Sequence, residues 1–227
     1  MIRGAPFGKR FSEATLDSYR VMATNETAFE ACKRLASGES EGVILHGPEG
    51  VGKTHLLVGL ARAFVDAGTP PSIETSDDGA LKRLPPLREL IEGCSSEEDS
   101  PEIPTLTPGE SYVQRVVEYW PILDLVSELR AEAIRGELEL SYRCRTCDLL
   151  VLDDLGREKL TEFIQQEFQR IIDWRYRDMK ALAVATNLLP RQIETRYDPH
   201  TISRWKESCE FVKVEGPDYR ERRKDSA

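Results

Sequence analysis

The residues Gly47, Pro48, Glu49, Gly50, Val51, Gly52, Lys53 and Thr54 follow one another in an order suited to holding phosphate. Glycines at the first, fourth and sixth places let backbone N–H groups close around phosphate oxygens, and a helix starting at Lys53 would add the positive end of its dipole. Lys53 then supplies a point charge for the outer phosphates of ATP, and the Thr54 hydroxyl a ligand for Mg²⁺.

Hydrolysis needs acid as well. Four apolar residues, Leu149 to Leu152, end in Asp153 and Asp154. A buried strand of this kind delivers its carboxylates at its C-terminal end, the edge of an open α/β sheet where ligands bind. Asp153 is placed to hold Mg²⁺, directly or through water, and Asp154 to polarise the attacking water as general base. A third apolar run, Ala181 to Ala185, ends in Thr186 and Asn187. An amide there either caps the strand or positions water near the terminal phosphate.

The elements that must carry these residues alternate. Helical spacing runs from Asn25 to Ala36, from Lys53 to Asp66, from Pro121 to about Arg135, and from Thr161 to Met179, with a further helix at 200–208. Strands are expected at 42–46, 112–119, 149–153, 181–186 and 210–214. This pattern predicts an α/β three-layer sandwich around a five-stranded, mostly parallel sheet. Residues 1–20 read as a loop-like lead-in. The rest reads as a single domain over 1–227, interrupted at 72–111 by an acidic, Pro- and Ser-rich insertion, expected to be partly disordered.

That insertion holds ten acidic against three basic side chains, so a chain of net charge −9 is close to neutral elsewhere. The overall charge argues against indiscriminate nucleic-acid binding and leaves room for a local basic patch. No apolar run is long enough to span a bilayer, and the N-terminus has no secretory signal pattern, so the expected location is the cytoplasm. The five cysteines read as reduced thiols. Cys144 and Cys147 form a CxxC, but without a second pair it is read as two incidental thiols rather than a zinc or redox site.

Taken together, these segments resemble the AAA+ ATPases of the initiator and loader group, in particular DnaC-like replicative helicase loaders and IstB-like transposition ATPases. The similarity runs through most of the chain. It covers the lead-in Phe11 to Tyr19, the loop followed by Thr54-His55-Leu56, the Leu149-to-Gly156 strand, Ala185-Thr-Asn-Leu188, Thr201-Ile-Ser-Arg204-Trp205 and Val214-Glu-Gly-Pro-Asp-Tyr-Arg220. The acidic insertion is not part of the family pattern.

The resemblance implies an ATPase that uses ATP and Mg²⁺. It makes His55 part of the nucleotide-binding stretch and Asn187 the sensor-1 residue. It makes Arg204 an arginine finger reaching into a neighbouring subunit, and Arg220 the sensor-2 arginine. It further implies a homo-oligomer with nucleotide sites at subunit interfaces. The partners it implies are a replicative helicase, or a transposase in the IstB-like alternative, and single-stranded DNA. The family's pore-facing helix would here carry Arg130 and Arg135, read as exposed helix charges rather than DNA contacts. A small-molecule kinase would use the same loop, but it would need a lid, and the acidic insertion is poorly suited to a phosphorylated acceptor.

Overall fold

The structure, a computed structural model, describes residues 1–5, 7–68 and 115–219. Apart from Gly68 these belong to one compact unit. The 72–111 insertion and Arg220 lie outside the described residues.

Strands β1 (Ile2–Gly4), β2 (Gly42–His46), β3 (Val117–Pro121), β4 (Leu149–Leu155), β5 (Ala181–Thr186) and β6 (Glu210–Lys213) form one sheet in the order β1-β3-β4-β5-β2-β6, and every pairing in it is parallel. Helices α1 (Glu26–Ser37), α2 (Lys53–Asp66), α3 (Ile122–Arg135), α4 (Glu139–Thr146), α5 (Glu162–Arg177), α6 (Pro190–Arg196) and α7 (Pro199–Ser208) cover it.

The strands are apolar on both faces, as a covered parallel sheet requires. Val43, Leu45, Val151, Ala183 and Ala185 pack with α1 and α2. The intervening Ile44, Leu150, Leu152, Leu182 and Val184 pack with α3, α4, α5 and α7. Successive strand residues point to opposite faces, so each strand serves both layers. The three-layer expectation holds.

Three expectations are corrected. The sheet has six strands rather than five, because Ile2–Gly4 pairs in parallel with Val117–Tyr119 instead of running as loop. The strand expected over 112–119 is Val117–Pro121, with 112–114 outside the described residues. Pro121, in extended conformation, then caps α3 rather than lying within it. The C-terminal ends of β2, β4 and β5 share one edge of the sheet. Asp153 and Asp154 lie near the end of β4, Lys53 and Thr54 open α2 after the loop that follows β2, and Asn187 follows β5.

Candidate nucleotide site

The backbone of the loop after β2 folds as its composition predicts. Gly50 has φ +79° and Gly52 φ +101°, left-handed values that a side chain rarely adopts. A Cβ added at Gly50 would overlap the Asp218 carboxylate, and one at Gly52 would press on the Tyr19 ring at 3.0 Å. The C-terminal segment closes over the loop here, with the Tyr219 N–H donating to the Gly50 carbonyl at 3.1 Å. Gly52 caps α2, so the helix N-terminus points into the loop.

Lys53 is buried and turned inward. Its ammonium donates to the Gly47 carbonyl at 2.9 Å, to the Pro48 carbonyl at 2.6 Å and to the Asn187 side-chain oxygen at 2.7 Å. The Asn187 amide in turn donates to Glu49 at 3.4 Å. Asn187 is therefore tied to the glycine-rich loop and the start of α2 on both its side-chain polar atoms.

The acids complete the cleft. Thr54 Oγ1 donates to Asp153 Oδ1 at 3.3 Å, which joins the two expected Mg²⁺ ligands. The other Asp153 oxygen accepts from Tyr119 Oη at 2.8 Å, and the Asp154 N–H donates to Asp153 Oδ1 at 2.9 Å. Burial raises the Asp153 carboxyl above its ordinary value; the Tyr119 and Thr54 hydrogen bonds act against this, while the neighbouring Asp154 adds to it. Burial and the adjoining Asp153 keep the Tyr119 phenol protonated.

Asp154 has φ +57°, a left-handed value uncommon for a residue other than glycine, and the β4–β5 register shifts at this point. The shift lets Asp153 turn inward beside Thr54 while Asp154 stays half exposed and pairs with Arg157 at 3.0 Å. The turn is braced by Thr186 Oγ1, which donates to the Leu155 carbonyl at 2.7 Å.

The acceptor set fits a magnesium nucleotide. Among the described residues no cluster of three His, Cys, Asp or Glu side chains could hold a metal alone. A cation at Thr54 and Asp153 would therefore draw its remaining ligands from phosphate and water, as Mg²⁺ usually does.

Comparisons with known proteins bear on the fold that carries these residues. No model of a known protein family matches the chain. In sequence it is 25% identical over 223 residues to the chromosomal replication initiator protein DnaA of Agrobacterium fabrum, covering 95% of this chain and 35% of the relative. It is 26% identical over 204 residues to DnaA of Acinetobacter baumannii, covering 86% and 33%. The chain thus spans about a third of the length of the curated relatives it matches. In structure it matches the DnaC helicase loader with TM-score 0.64 at 20% identity, over 92% of this chain and all of that one. It also matches DnaA bound to AMPPCP and single-stranded DNA, with TM-score 0.64 at 20% identity, over 91% of this chain and 51% of that one. By sequence these relatives are DnaA initiator proteins, and by fold they include both DnaA and the DnaC helicase loader.

Within this fold some expected site residues converge and others do not. Gly47 to Thr54, Asp153 and Asn187 converge, while Asp154 adjoins them half exposed and paired with Arg157. His55 faces the lead-in instead: its Nε2 lies 3.0 Å from Ser18 Oγ and 3.1 Å from the Thr15 carbonyl, and its ring meets Tyr19 edge-on at 5.4 Å. Arg204, on α7, ion-pairs with Asp173 of α5 and lies 5.6 Å from the centre of the Tyr176 ring. None of its described partners belongs to the cleft of its own chain.

Arg130 donates to the Lys159 carbonyl at 3.3 Å, and Arg135 pairs with Glu128 at 3.1 Å and Glu137 at 2.7 Å, so both are engaged within the chain. Cys144 and Cys147 are buried, and Cys147 Sγ accepts from the buried Arg175 guanidinium at 3.1 Å. Sequence reasoning missed Tyr119, Arg157 and Asp173. Nothing local marks them, because each matters only through a partner brought close by the fold.

Proposed function

We propose that this chain is an ATP-hydrolysing AAA+ protein that acts in DNA replication by loading or remodelling the replicative helicase. The observation that carries the reading is the convergence of Lys53, Asn187, Thr54 and Asp153 in one cleft. Residues 1–227 would act as one AAA+ unit, with 72–111 as an insertion.

Lys53 and the loop N–H groups hold the phosphates, Thr54 and Asp153 the Mg²⁺ that neutralises developing charge, and Arg220 the nucleotide of its own subunit. Asp154 takes the proton from water, and Asn187 keeps Lys53 and that water in place. Arg204 completes the site of the next copy in a homo-oligomer, because a finger whose partners lie outside its own cleft is suited to act across an interface. Single-stranded DNA and the helicase are the partners this reading assigns, and the cytoplasm its location.

Likeness in fold to DnaC over the whole of that chain favours a loader. The sequence matches to DnaA favour a second reading, an initiator-like protein that assembles on origin DNA. Asp154→Asn chains held with ATP separate them: recovery of the helicase from extract supports the loader, and ATP-dependent assembly on duplex DNA without helicase supports the initiator. Arg204→Ala tests the catalytic arrangement. It is expected to bind ATP normally and to lose turnover by about a hundredfold or more, and normal turnover would remove the trans-acting finger.

A further inference from the structure

Glu158 lies in the loop between the acidic turn and α5, with its side chain wholly buried. Its Oε2 accepts from the Gly156 N–H at 2.8 Å. Its Oε1 accepts from Tyr197 Oη at 2.6 Å and from the Arg196 guanidinium at 3.2 and 3.3 Å. Arg196 also donates to the Glu158 carbonyl. The side chain thus joins the turn two residues beyond Asp154 to the end of α6 and the residue that follows it.

The connection continues. The Tyr197 ring meets the Trp205 indole at 5.4 Å and 61°, and Trp205, 1% exposed, is the residue after Arg204. A buried carboxylate is tolerated only when its partners are in place, so this junction resists gradual deformation. A shift of the turn at Asp154 must either carry α7 with it or break a buried charged contact. Arg196 and Tyr197 hold no position in the cleft; Tyr197 and Trp205 pack in one core cluster with Phe168 of α5, so the junction ties the acidic turn to the buried side of α7.

We infer that Glu158 and Tyr197 are positioning residues for the neighbouring subunit's site: they couple the acidic turn of one copy to the placement of its Arg204 in the next. This rests on the reading of Arg204 as a finger acting across the interface.

The test uses the full chain and mixed assemblies. Tyr197→Phe removes one hydroxyl and keeps the ring on Trp205. It is expected to bind ATP like the wild type and to lose turnover about tenfold, the size of one hydrogen bond to a charged group. Glu158→Gln, which keeps an acceptor for Gly156, is measured in parallel and is expected to lose at least as much.

Each variant is then mixed with Lys53→Ala chains, whose own sites are dead but whose acidic turn, Glu158, Tyr197 and Arg204 are unaltered. Turnover per variant chain should rise several-fold, as it should for Arg204→Ala mixed in the same way. Wild-type turnover by Tyr197→Phe overturns the inference. So does a deficit that mixing does not relieve while that of Arg204→Ala is relieved, since it places the defect in the chain's own site. Failure of Arg204→Ala to gain on mixing removes the trans-acting finger itself, and this inference with it.

Discussion

The Lys53 ammonium donates to the Asn187 side-chain oxygen across 2.7 Å, which bridges the phosphate loop after β2 and the end of β5. This contact decides how Asn187 should behave when altered. Asn187→Ala leaves the ammonium with the Gly47 and Pro48 carbonyls, so nucleotide affinity is expected to change only a few-fold. Turnover should fall by about ten- to a hundredfold, because the lysine and water lose their orientation. Titration with a non-hydrolysable nucleotide and phosphate release measured together would check the split, and an equal loss in both would contradict it.

Tyr119 holds the second Asp153 oxygen from β3. Tyr119→Phe removes that donor and leaves a buried carboxylate short of a partner, at a cost of about 1–3 kcal/mol. The Mg²⁺ concentration for half-maximal turnover should rise several-fold, while affinity for metal-free nucleotide stays near wild type. An unchanged Mg²⁺ requirement would mean that Thr54 and the Asp154 N–H suffice to orient Asp153.

Burial raises the Asp153 carboxyl above its unfolded value. The folded chain therefore binds this proton more tightly than the unfolded chain, and this group's contribution to stability declines as pH rises from the unfolded pKa through the folded one. Asp153→Asn removes that penalty. In the absence of Mg²⁺ and nucleotide it should melt at a higher temperature than wild type near neutrality, and the gain should shrink in acid. A lower Tm at neutral pH would show that the hydrogen bonds to Asp153 outweigh its burial.

Gly50 combines φ +79° with an approach to Asp218 that leaves no room for a Cβ. Gly50→Ala should cost about 1–2 kcal/mol in loop strain and weaken ATP binding by roughly tenfold. Adding Asp218→Ala relieves the overlap but not the backbone strain, so only part of the loss should return. Full recovery would assign the effect to the carboxylate alone.

Much of this molecule was legible from local pattern. Gly42–His46 and Lys53–Asp66 appear with the bounds that their apolar runs and flanking glycines imply. Other elements carry weaker signals. Strand β1 is three residues long and owes its state to β3, more than a hundred positions away. Helices α4 and α6 are short, and their buried faces are too narrow to show a period. His55 shows the limit of motif reasoning: it adjoins the phosphate loop in sequence, yet its place in the first turn of α2 turns it toward Thr15 and Ser18.

By itself, the sequence determined the glycine-rich loop, the acidic strand end and the alternation of strands with helices. Each is a local property: glycine conformations, an apolar run ending in carboxylates, a periodicity. The tertiary structure alone decided which of these residues meet. It brought Asn187 to Lys53 and Tyr119 to Asp153, engaged Arg204 with Asp173, and joined Glu158 to Tyr197. Those pairs are separated by tens to more than a hundred residues, and their contact depends on strand order and register in a parallel sheet, which no local spacing encodes.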